Sequence, residues 1–242
     1  MHHEHIAGRA ITIRILSSSA HFPHRTGQNV RIISGRARGR KLFSPPGHSQ
    51  TIRPTSDRAR ESLFNIISAH VEFADVLDLF AGTGAMGLEA LSRGAKSITF
   101  VENNRQALEL IKRNIRVCMP GMNTSPPSEV PRQATLPELP ADCSVSVIQH
   151  DLRKGLPLKT FDKMQLSSFD LVFLDPPYST GLCLRILTEW DRNNRLTTDG
   201  LLIAEERSSE KMPEEFSTLK LVDRRIYGDT GFWIFQKHST CS

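Results

Sequence analysis

The sequence predicts an α/β fold built on a mostly parallel sheet, and three observations support this prediction. From residue 75 onward, short apolar segments alternate with segments of helical periodicity. Two of the apolar segments, VLDLF at 76–80 and FDLVFLD at 169–175, have the nearly continuous apolar character of strands buried on both faces. A glycine-rich turn at 81–87 leads from the first of these strands into a helix. We therefore expect successive strand–loop–helix units within one sheet.

The N-terminal part of the chain predicts a smaller, basic extension. Residues 1–29 have no regular pattern, and we expect a disordered arm there. Residues 30–47 alternate apolar and basic side chains around two glycines, which predicts a small β-hairpin with a positively charged face. The segment 53–67 predicts a helix whose N-cap is Thr55 or Ser56.

The remaining elements follow in order and end in an antiparallel pair, KLVDRRIYG and GFWIFQK. The predicted strands before this pair are 76–80, 97–102, 145–151, 169–175 and 200–206, and the predicted helices are 86–92, 105–117 and 183–190. Residues 119–144 contain six prolines, which predicts a flexible surface insertion. We therefore divide the chain into an extension at 30–70 and a main domain at 71–238.

The net charge of +5 is unevenly distributed. The first 56 residues contain nine arginines and lysines and one acidic residue, Glu4, so this part carries +8 and the rest carries −3. Clustered arginines attract phosphates, which favours a polyanionic partner. An arginine- and serine-rich, acid-poor N-terminus is also typical of organelle import peptides, so residues 1–29 leave that alternative open.

The composition disfavours membrane, secreted and metal-binding classes. No apolar run approaches the ~20 residues of a membrane helix, and no secretory signal is evident. The four cysteines are scattered without a CxxC pair, so we expect neither a zinc site nor a disulfide framework. Free thiols fit a reducing compartment, and we therefore expect a cytoplasmic protein without membrane association.

The turn after the first strand has the spacing of a nucleotide-binding loop. Gly82, Gly84 and Gly87 form the pattern GxGxxG between a strand and a helix. Glycines at these positions let the backbone turn tightly and approach a ligand. Glu102 ends the next strand 24 residues after Asp78, where a ribose-binding carboxylate is expected. This edge of the sheet is therefore predicted to bind a nucleotide.

The acidic residues indicate which nucleotide binds. A dehydrogenase would place a pyrophosphate against the loop, and the carboxylate of Asp78 would repel it. The same carboxylate can pair with the ammonium group of S-adenosylmethionine (SAM), which also has a ribose for Glu102. At the end of the third strand, Asp151 can accept from the adenine amino group, and Leu152 can lie against the ring. Each acid is individually explained by a strand-end cap, but three successive strand ends favour SAM.

The fourth strand ends in Asp175, Pro176, Pro177 and Tyr178. The prolines stop the strand and leave Asp175 at its carboxyl end, where open α/β sheets bind ligands. A nucleobase amine is a poor nucleophile because its lone pair is delocalised. The Asp175 carboxylate and the Pro176 carbonyl can accept both of its N–H groups, so that the nitrogen presents its lone pair to a methyl donor. Tyr178 can stack on the base, whereas the structural alternative is a turn with a capping aspartate.

These motifs together resemble one family. The segments RIISGRARGRKL, RPTSDRARESLFNII, LDLFAGTGAMGLEALSRGA and FDLVFLDPPY closely resemble the RsmD-type bacterial methyltransferases, over about residues 30–237. The resemblance implies a class I SAM-dependent, Rossmann-like sheet of seven strands with an antiparallel C-terminal strand. It also implies methylation of guanine N2 in 16S ribosomal RNA. The implied cofactor-binding residues are Asp78, Phe80, Gly82, Gly84, Glu102, Asn103, Asp151 and Leu152. The insertion at 119–144 and the arm at 1–29 depart from the family's pattern.

The predicted partner is 16S rRNA in assembled or assembling small ribosomal subunits, bound by a monomer. The expected phosphate contacts are Arg36, Arg38, Arg40, Lys41, Arg53, Arg58 and Arg60. Three alternatives stay open: an adenine-N6 DNA methyltransferase, because DPPY occurs in such enzymes; a non-catalytic RNA-binding assembly factor; and a dehydrogenase. The sequence contains no evident target-recognition segment for DNA, and the intact loop and DPPY favour catalysis.

Overall fold

One seven-stranded sheet organises the computed structural model, which describes residues 30–45, 56–120 and 143–238. The strands are β1 Asp75–Leu79, β2 Ser97–Glu102, β3 Ser144–Gln149, β4 Phe169–Leu174, β5 Leu196–Arg207, β6 Leu219–Tyr227 and β7 Thr230–Lys237. They lie in the order β3-β2-β1-β4-β5-β7-β6. The pairs among β1 to β5 are parallel, whereas β7 is antiparallel to both β5 and β6. The predicted mostly parallel sheet with an antiparallel C-terminal strand is confirmed.

Helices cover both faces of the sheet. The described α-helices are α1 Asp57–Ile66, α2 Ala85–Ser92, α3 Arg105–Cys118, α4 Leu158–Lys163 and α5 Leu182–Asn193. One face packs against α1, α2 and α3 through buried side chains such as Phe64, Leu88 and Ile111. The other face packs against α4 and α5 through Phe161 and Trp190. The central strands are therefore apolar on both faces, as their continuous apolar segments indicated. None of these helices is long and apolar enough to cross a membrane.

Most predicted elements occur with small shifts at their ends. Ser56 is the N-cap of α1, and its hydroxyl accepts from the Ala59 amide at 3.2 Å. The strand β5 begins at Leu196, four residues earlier than predicted, because Asp199 and Gly200 are of types uncommon in strands and obscure its first part. The short helix α4 was missed since it has only 6 residues and no side-chain cap. The arm at 1–29 and most of the insertion at 119–144 lie outside the described residues.

Residues 30–45, called the N-terminal segment below, form a short antiparallel hairpin, as the sequence predicted. The Leu42 amide donates to the Val30 carbonyl at 2.7 Å, and the Ile32 amide donates to the Arg40 carbonyl at 3.0 Å. One antiparallel bridge joins Arg31 and Lys41. Between these two residues the backbone turns toward the end of α2, and the Arg36 amide donates to the Ser92 carbonyl at 2.8 Å. Backbone donors at the tip of the hairpin thus pair with α2, and those nearer its base pair across the hairpin.

A buried carboxylate attaches the N-terminal segment to the main sheet. Glu89 on α2 is 0% exposed and accepts from the amides of Ile33 at 2.7 Å and Ser34 at 3.0 Å. It also accepts from Nε of Arg93 at 2.7 Å. A buried charge is tolerated only when it is paired and hydrogen-bonded, and these donors meet that condition. The position of the N-terminal segment therefore depends on Glu89.

Candidate active site

Four parallel strands bring an acidic residue to the same edge of the sheet. Because β3, β2, β1 and β4 are neighbours and run parallel, their carboxyl ends lie side by side. Asp78 is the penultimate residue of β1 and Glu102 the last of β2, while Asp151 and Asp175 follow the ends of β3 and β4. This edge is where ligands bind in open α/β sheets.

The glycine loop after β1 is held open by backbone geometry and by Glu102. Phe80 has φ +60°, and Gly82 and Gly84 have φ +54° and +77°, so the chain turns through the left-handed region three times before α2. A Cβ at Gly84 would lie 3.2 Å from the Phe100 ring. The Gly82 amide donates to Oε2 of Glu102 at 2.9 Å, which ties the loop to the end of β2.

Glu102 also organises the turn that follows β2. Its Oε1 accepts from the amides of Asn103 and Asn104, each at 2.8 Å. The side chain of Asn104 in turn caps α3 by accepting from the amides of Gln106 and Ala107. The carboxylate predicted to bind a ribose is therefore fixed in place, with its remaining lone pairs at the edge of the glycine loop.

Asp78 lies deeper than the other acids. It is 2% exposed, and its Oδ2 accepts from the Gly87 amide in the first turn of α2 at 2.9 Å. Burial raises the pKa of Asp78 to about 8 although the Gly87 hydrogen bond opposes the shift, and the nearby charge of Glu102 raises it further. A cation placed beside Asp78 would favour the ionised carboxylate.

Asp151 is held by an arginine of its own turn. Its Oδ1 accepts from Nε of Arg153 at 2.8 Å and its Oδ2 from a terminal guanidinium nitrogen at 3.0 Å. The side-chain hydrogen bond from Arg153 lowers the pKa of Asp151. Leu152 is 2% exposed, and its side chain packs into the core on the face of the sheet covered by α4 and α5. The position of the acid agrees with the prediction, and its carboxylate keeps lone pairs for a further donor.

The DPPY tetrapeptide forms a rigid turn directly beside the glycine loop. The Asp175 amide donates to the carbonyl of Leu79 at 3.4 Å, so the ends of β4 and β1 adjoin. Pro176 is buried, Pro177 is exposed and Tyr178 is half-buried. The Tyr178 hydroxyl donates to Oε1 of a glutamate on β5, Glu205, at 2.7 Å.

The electrostatic environment of Asp175 is strongly acidic. Burial raises the pKa of Asp175 well above its usual range, and the charges of Glu205, Asp78 and Glu206 raise it further, in that order. A carboxyl group in this environment holds a proton more tightly than an exposed aspartate. The perturbation places Asp175 among functional-site candidates on physical grounds.

The family known as Conserved hypothetical protein 95 matches residues 30–236 of this sequence. The chain belongs to this family. Its members include the RsmD-type methyltransferases that the sequence motifs indicated: the Ribosomal RNA small subunit methyltransferase D of Haemophilus influenzae is 33% identical over 212 residues, which are 85% of this chain and 96% of that protein.

Many solved structures are similar to this fold, and two of them differ widely in sequence identity. The hypothetical protein TTHA0928 of Thermus thermophilus has a TM-score of 0.60 and 26% identity, and the match covers 85% of this chain and 98% of that one. An RNA methyltransferase from Salinibacter ruber, in complex with S-adenosyl-L-homocysteine, has a TM-score of 0.51 and 12% identity, with 78% and 97% covered. The second likeness concerns the fold alone, which is that of SAM-dependent methyltransferases.

The seven residues predicted to contact phosphates fall into four groups, the last of which is Arg60 alone. The side chains of Arg36, Arg38, Lys41 and Arg58 are exposed. Arg40 is half-buried and donates to the carbonyl of Val117, so its guanidinium is already engaged. Arg53 lies outside the described residues.

Arg60 corrects the prediction of a phosphate contact. It is 1% exposed, and its guanidinium donates to the carbonyl of Arg31 at 2.5 Å and to Asp57 at 2.9 Å. Burial lowers its pKa, and Asp57 partly offsets that effect. The sequence pattern missed this because Arg60 lies on the apolar face of α1, where an arginine is buried only with partners. Arg60 holds α1 to the N-terminal segment and is not available to RNA.

Sequence reasoning also missed two carboxylates beside the DPPY turn. Glu205 and Glu206, near the end of β5, are 5% and 2% exposed. Glu206 accepts from the amide of Ser179, which follows the tetrapeptide with φ +58°. The available signal was the segment LLIAEE, in which two acids end an apolar strand. A strand adjacent to β4 with acids at its carboxyl end belongs to the same edge.

A further missed residue connects the N-terminal segment with the glycine loop. Asn114 on α3 is 0% exposed and donates to the carbonyls of Phe43 at 3.0 Å and Thr83 at 2.9 Å. Its Oδ1 accepts from the Phe43 amide at 2.7 Å. The predicted RNA-binding segment and the predicted cofactor loop thus share one buried amide.

Proposed function

We propose that this protein transfers a methyl group from SAM to the exocyclic N2 amine of a guanine in 16S rRNA of the small ribosomal subunit. The observation that supports this most directly is the DPPY turn, which adjoins the glycine loop through the Asp175–Leu79 hydrogen bond. The name of the Haemophilus influenzae relative supports a ribosomal RNA substrate. The chemistry of the tetrapeptide supports an amine as the methyl acceptor.

The carboxylates at this edge of the sheet fit SAM better than a dinucleotide. Three carboxylates, Asp78, Glu102 and Asp151, follow one another along the edge, whereas a pyrophosphate would need cations or free amides. We assign Asp78 to the ammonium group, Glu102 to the ribose hydroxyls and Asp151 to the adenine amine. Phe80, Gly82, Gly84 and Asn103 would complete the surroundings of the cofactor. Leu152 would contribute its backbone, because its side chain is buried in the core. When bound, SAM supplies a methyl group already activated by its sulfonium.

The protein's part in the reaction is to hold the amine and take its proton. The Asp175 carboxylate and the Pro176 carbonyl accept the two N–H groups, and the fixed φ of Pro176 and Pro177 sets the direction of that carbonyl. Alignment of the nitrogen with the methyl group removes most of the entropic barrier. The methylated nitrogen is cationic and releases a proton. In its ionised form Asp175 is a suitable acceptor for that proton, because its raised pKa makes the carboxylate a stronger base than that of an exposed aspartate.

The exposed cations of the N-terminal part serve the RNA backbone in this proposal. Arg36, Arg38, Lys41 and Arg58 lie on an extension at 30–70, ahead of the methyltransferase domain at 71–238. Phosphate contacts of this kind fix the register of an RNA without reading its sequence. We propose that the substrate is an assembled or assembling small subunit, bound by a monomer.

A methyl-transfer assay with labelled SAM tests the proposal. The acceptors are small subunits from a strain lacking the activity, naked 16S rRNA and unmethylated DNA, each followed by digestion to nucleosides. Label in N2-methylguanosine from subunits or rRNA is the expected result. Label only in N6-methyladenine from DNA would assign the chain to the other amine-methylating class. Absence of transfer despite SAM binding would contradict catalysis and favour an RNA-binding assembly factor.

Asp175→Ala identifies the residue responsible for transfer. We expect loss of methylation with SAM and RNA binding retained, because the substitution removes an acceptor of the amine and leaves the loop in place. Asp199→Ala is the matched control, since Asp199 is exposed on the amino-terminal part of β5, away from the acidic edge. Undiminished methylation by Asp175→Ala would refute the role of Asp175.

A further inference from the structure

We propose that Glu205 is a positioning residue for methyl transfer, which acts through the phenol of Tyr178 to fix the ring on which the target base stacks. The inference rests on the proposed function, because it requires the DPPY turn to receive a base. It adds to that function a residue outside the tetrapeptide and outside the glycine loop.

The geometry places Glu205 beside the reacting group. Leu174 at the end of β4 pairs in register with Ala204 of β5, so the next residues of the two strands are Asp175 and Glu205. Glu205 is 5% exposed, so water has little access to its carboxylate and does not compete for its hydrogen bonds. From this position its Oε1 accepts the Tyr178 hydroxyl proton at 2.7 Å.

The phenol is held from a second side. Thr230, the first residue of β7, places its Oγ1 3.1 Å from the Tyr178 oxygen. The Tyr178 hydroxyl has one proton, and the carboxylate of Glu205 can only accept, so the phenol donates to Glu205 and accepts from Thr230. Two strands from the other half of the sheet therefore fix one aromatic side chain of the turn.

The backbone of the turn is held separately from the ring. The Ser179 amide donates to Oε1 of Glu206 at 3.0 Å, and the Thr180 hydroxyl donates to the carbonyl of Pro177 at 2.7 Å. Glu206 and the prolines thus determine where the chain runs, and Glu205 determines where the phenol points. Loss of Glu205 should leave the turn folded and the ring free to rotate away from the base.

Glu205 has an additional electrostatic effect that a purely steric support would not have. The groups that act on Asp175 are Glu205, Asp78 and Glu206, and Asp175 in turn acts on Tyr178 and Cys183. Burial and then Glu205 raise the pKa of Asp175. Removal of the negative charge at position 205 should therefore let Asp175 ionise at lower pH.

The test compares Glu205→Gln, Glu205→Leu and Tyr178→Phe in the methyl-transfer assay. The glutamine keeps an oxygen that accepts from the phenol, so we expect kcat within about threefold of the parent and an acidic limb of the pH profile shifted to lower pH. The leucine removes the acceptor, and we expect kcat/KM to fall about 10- to 100-fold. SAM affinity should stay within about twofold for all three variants, since we assign SAM to the ends of β1, β2 and β3 and not to that of β5.

A double-mutant cycle separates positioning from independent effects. If Glu205 acts through Tyr178, the variant with Glu205→Leu and Tyr178→Phe together loses no more activity than the more impaired single variant. Multiplied losses would overturn the proposal, as would an unchanged pH profile in Glu205→Gln. If Glu205→Leu does not fold, Thr230→Val removes the other contact of the phenol, and its effect on kcat/KM should likewise disappear in the Tyr178→Phe background.

A readout without methyl transfer keeps this inference distinct from the proposed function. The chain has two tyrosines, so Tyr178 is the only phenol in a Tyr227→Phe background. Burial and then the charge of Glu205 raise the pKa of Tyr178. Glu205→Gln should lower that pKa in an alkaline absorbance titration, whatever the substrate. No change in the titration would refute the contact, whereas inactivity of the parent enzyme on every acceptor would refute the proposed function alone.

Discussion

Alanine at Gly35 should release the N-terminal segment from α2, whereas alanine at Gly39 should not. The two glycines have nearly the same backbone conformation, with φ +78° and +81°. A Cβ at Gly35 would lie 1.9 Å from the carbonyl oxygen of Ser92, which is backbone at the end of α2 and cannot rotate away. A Cβ at Gly39 would meet nothing within 4 Å. The pair therefore separates steric displacement from the strain of a left-handed residue.

The expected magnitudes follow from the contacts on either side of Gly35. Both substitutions place an L-residue in the left-handed region, which costs about 1–2 kcal/mol. Displacement of Gly35 also breaks the Arg36–Ser92 backbone bond, at 2.8 Å, and the bond from the Ala37 amide to Ser92 Oγ, at 2.9 Å. A third contact joins Ser92 Oγ to the Ser34 carbonyl at 2.5 Å. At about 0.5–1.5 kcal/mol for each hydrogen bond, Gly35→Ala should lose ~2–4 kcal/mol more than Gly39→Ala.

Urea unfolding and limited trypsin digestion measure the two consequences. The free energy of unfolding should fall more for Gly35→Ala, and cleavage after Arg36 and Arg38 should accelerate in that variant alone. SAM affinity should change less than RNA affinity, because the displaced residues include the exposed cations. Equal losses in the two variants would refute the claim that contact with α2 holds the segment.

Three further predictions concern buried and exposed charge. Glu89→Gln should lower the free energy of unfolding by about 3–5 kcal/mol, because it breaks a buried ion pair. The control, Glu109→Gln on the surface of α3, should lower it by at most ~0.5 kcal/mol in the same urea experiment. The pKa of Asp78 is near 3.8 in the unfolded chain and about 8 in the folded protein. The free energy of unfolding should therefore decline as pH rises between these values, by up to ~1.4 kcal/mol per pH unit. Asp78→Asn should flatten that decline, and an unchanged slope between pH 5 and 8 would contradict it. Arg38→Gln should lower the slope of log RNA affinity against log salt concentration by the amount expected for about one phosphate contact. Arg192→Gln on α5 is the control and should leave that slope unchanged.

The sequence predicted the sheet because its central strands are continuous apolar segments, which a parallel sheet covered on both faces accommodates. It located Asp78, Glu102, Asp151 and Asp175 because the end of a strand can be recognised from the sequence pattern alone. It did not reveal which groups those acids contact, since Arg153 is two residues away from Asp151 but Glu205 is thirty residues away from Asp175. Contacts between distant segments depend on packing, which the pattern of one segment does not contain.

Arg60 and the N-terminal segment show the same limit in the opposite direction. The clustered positive charge of the first 56 residues is real, but burial decides which cations a phosphate can reach. The predicted hairpin forms, but the backbone groups at its tip pair with Glu89 and Ser92, which the pattern of the segment did not indicate. In each case a local pattern was interpreted without the partner that a helix elsewhere in the chain supplies.

The proposed reaction imposes opposite demands on charge, and the fold separates them. Asp78, Asp175, Glu205 and Glu206 concentrate acidic side chains where an amine must be held, and those that are ionised repel an RNA backbone. The exposed cations are therefore needed outside that edge, on a segment whose distance from it is fixed by Asn114 and its bonds to Phe43 and Thr83. Phosphates would rest against the segment, and an uncharged base would be the only part of the RNA to enter the acidic edge. In the proposed reaction an acidic site acts on a polyanion because the attraction and the chemistry occupy different elements of the structure.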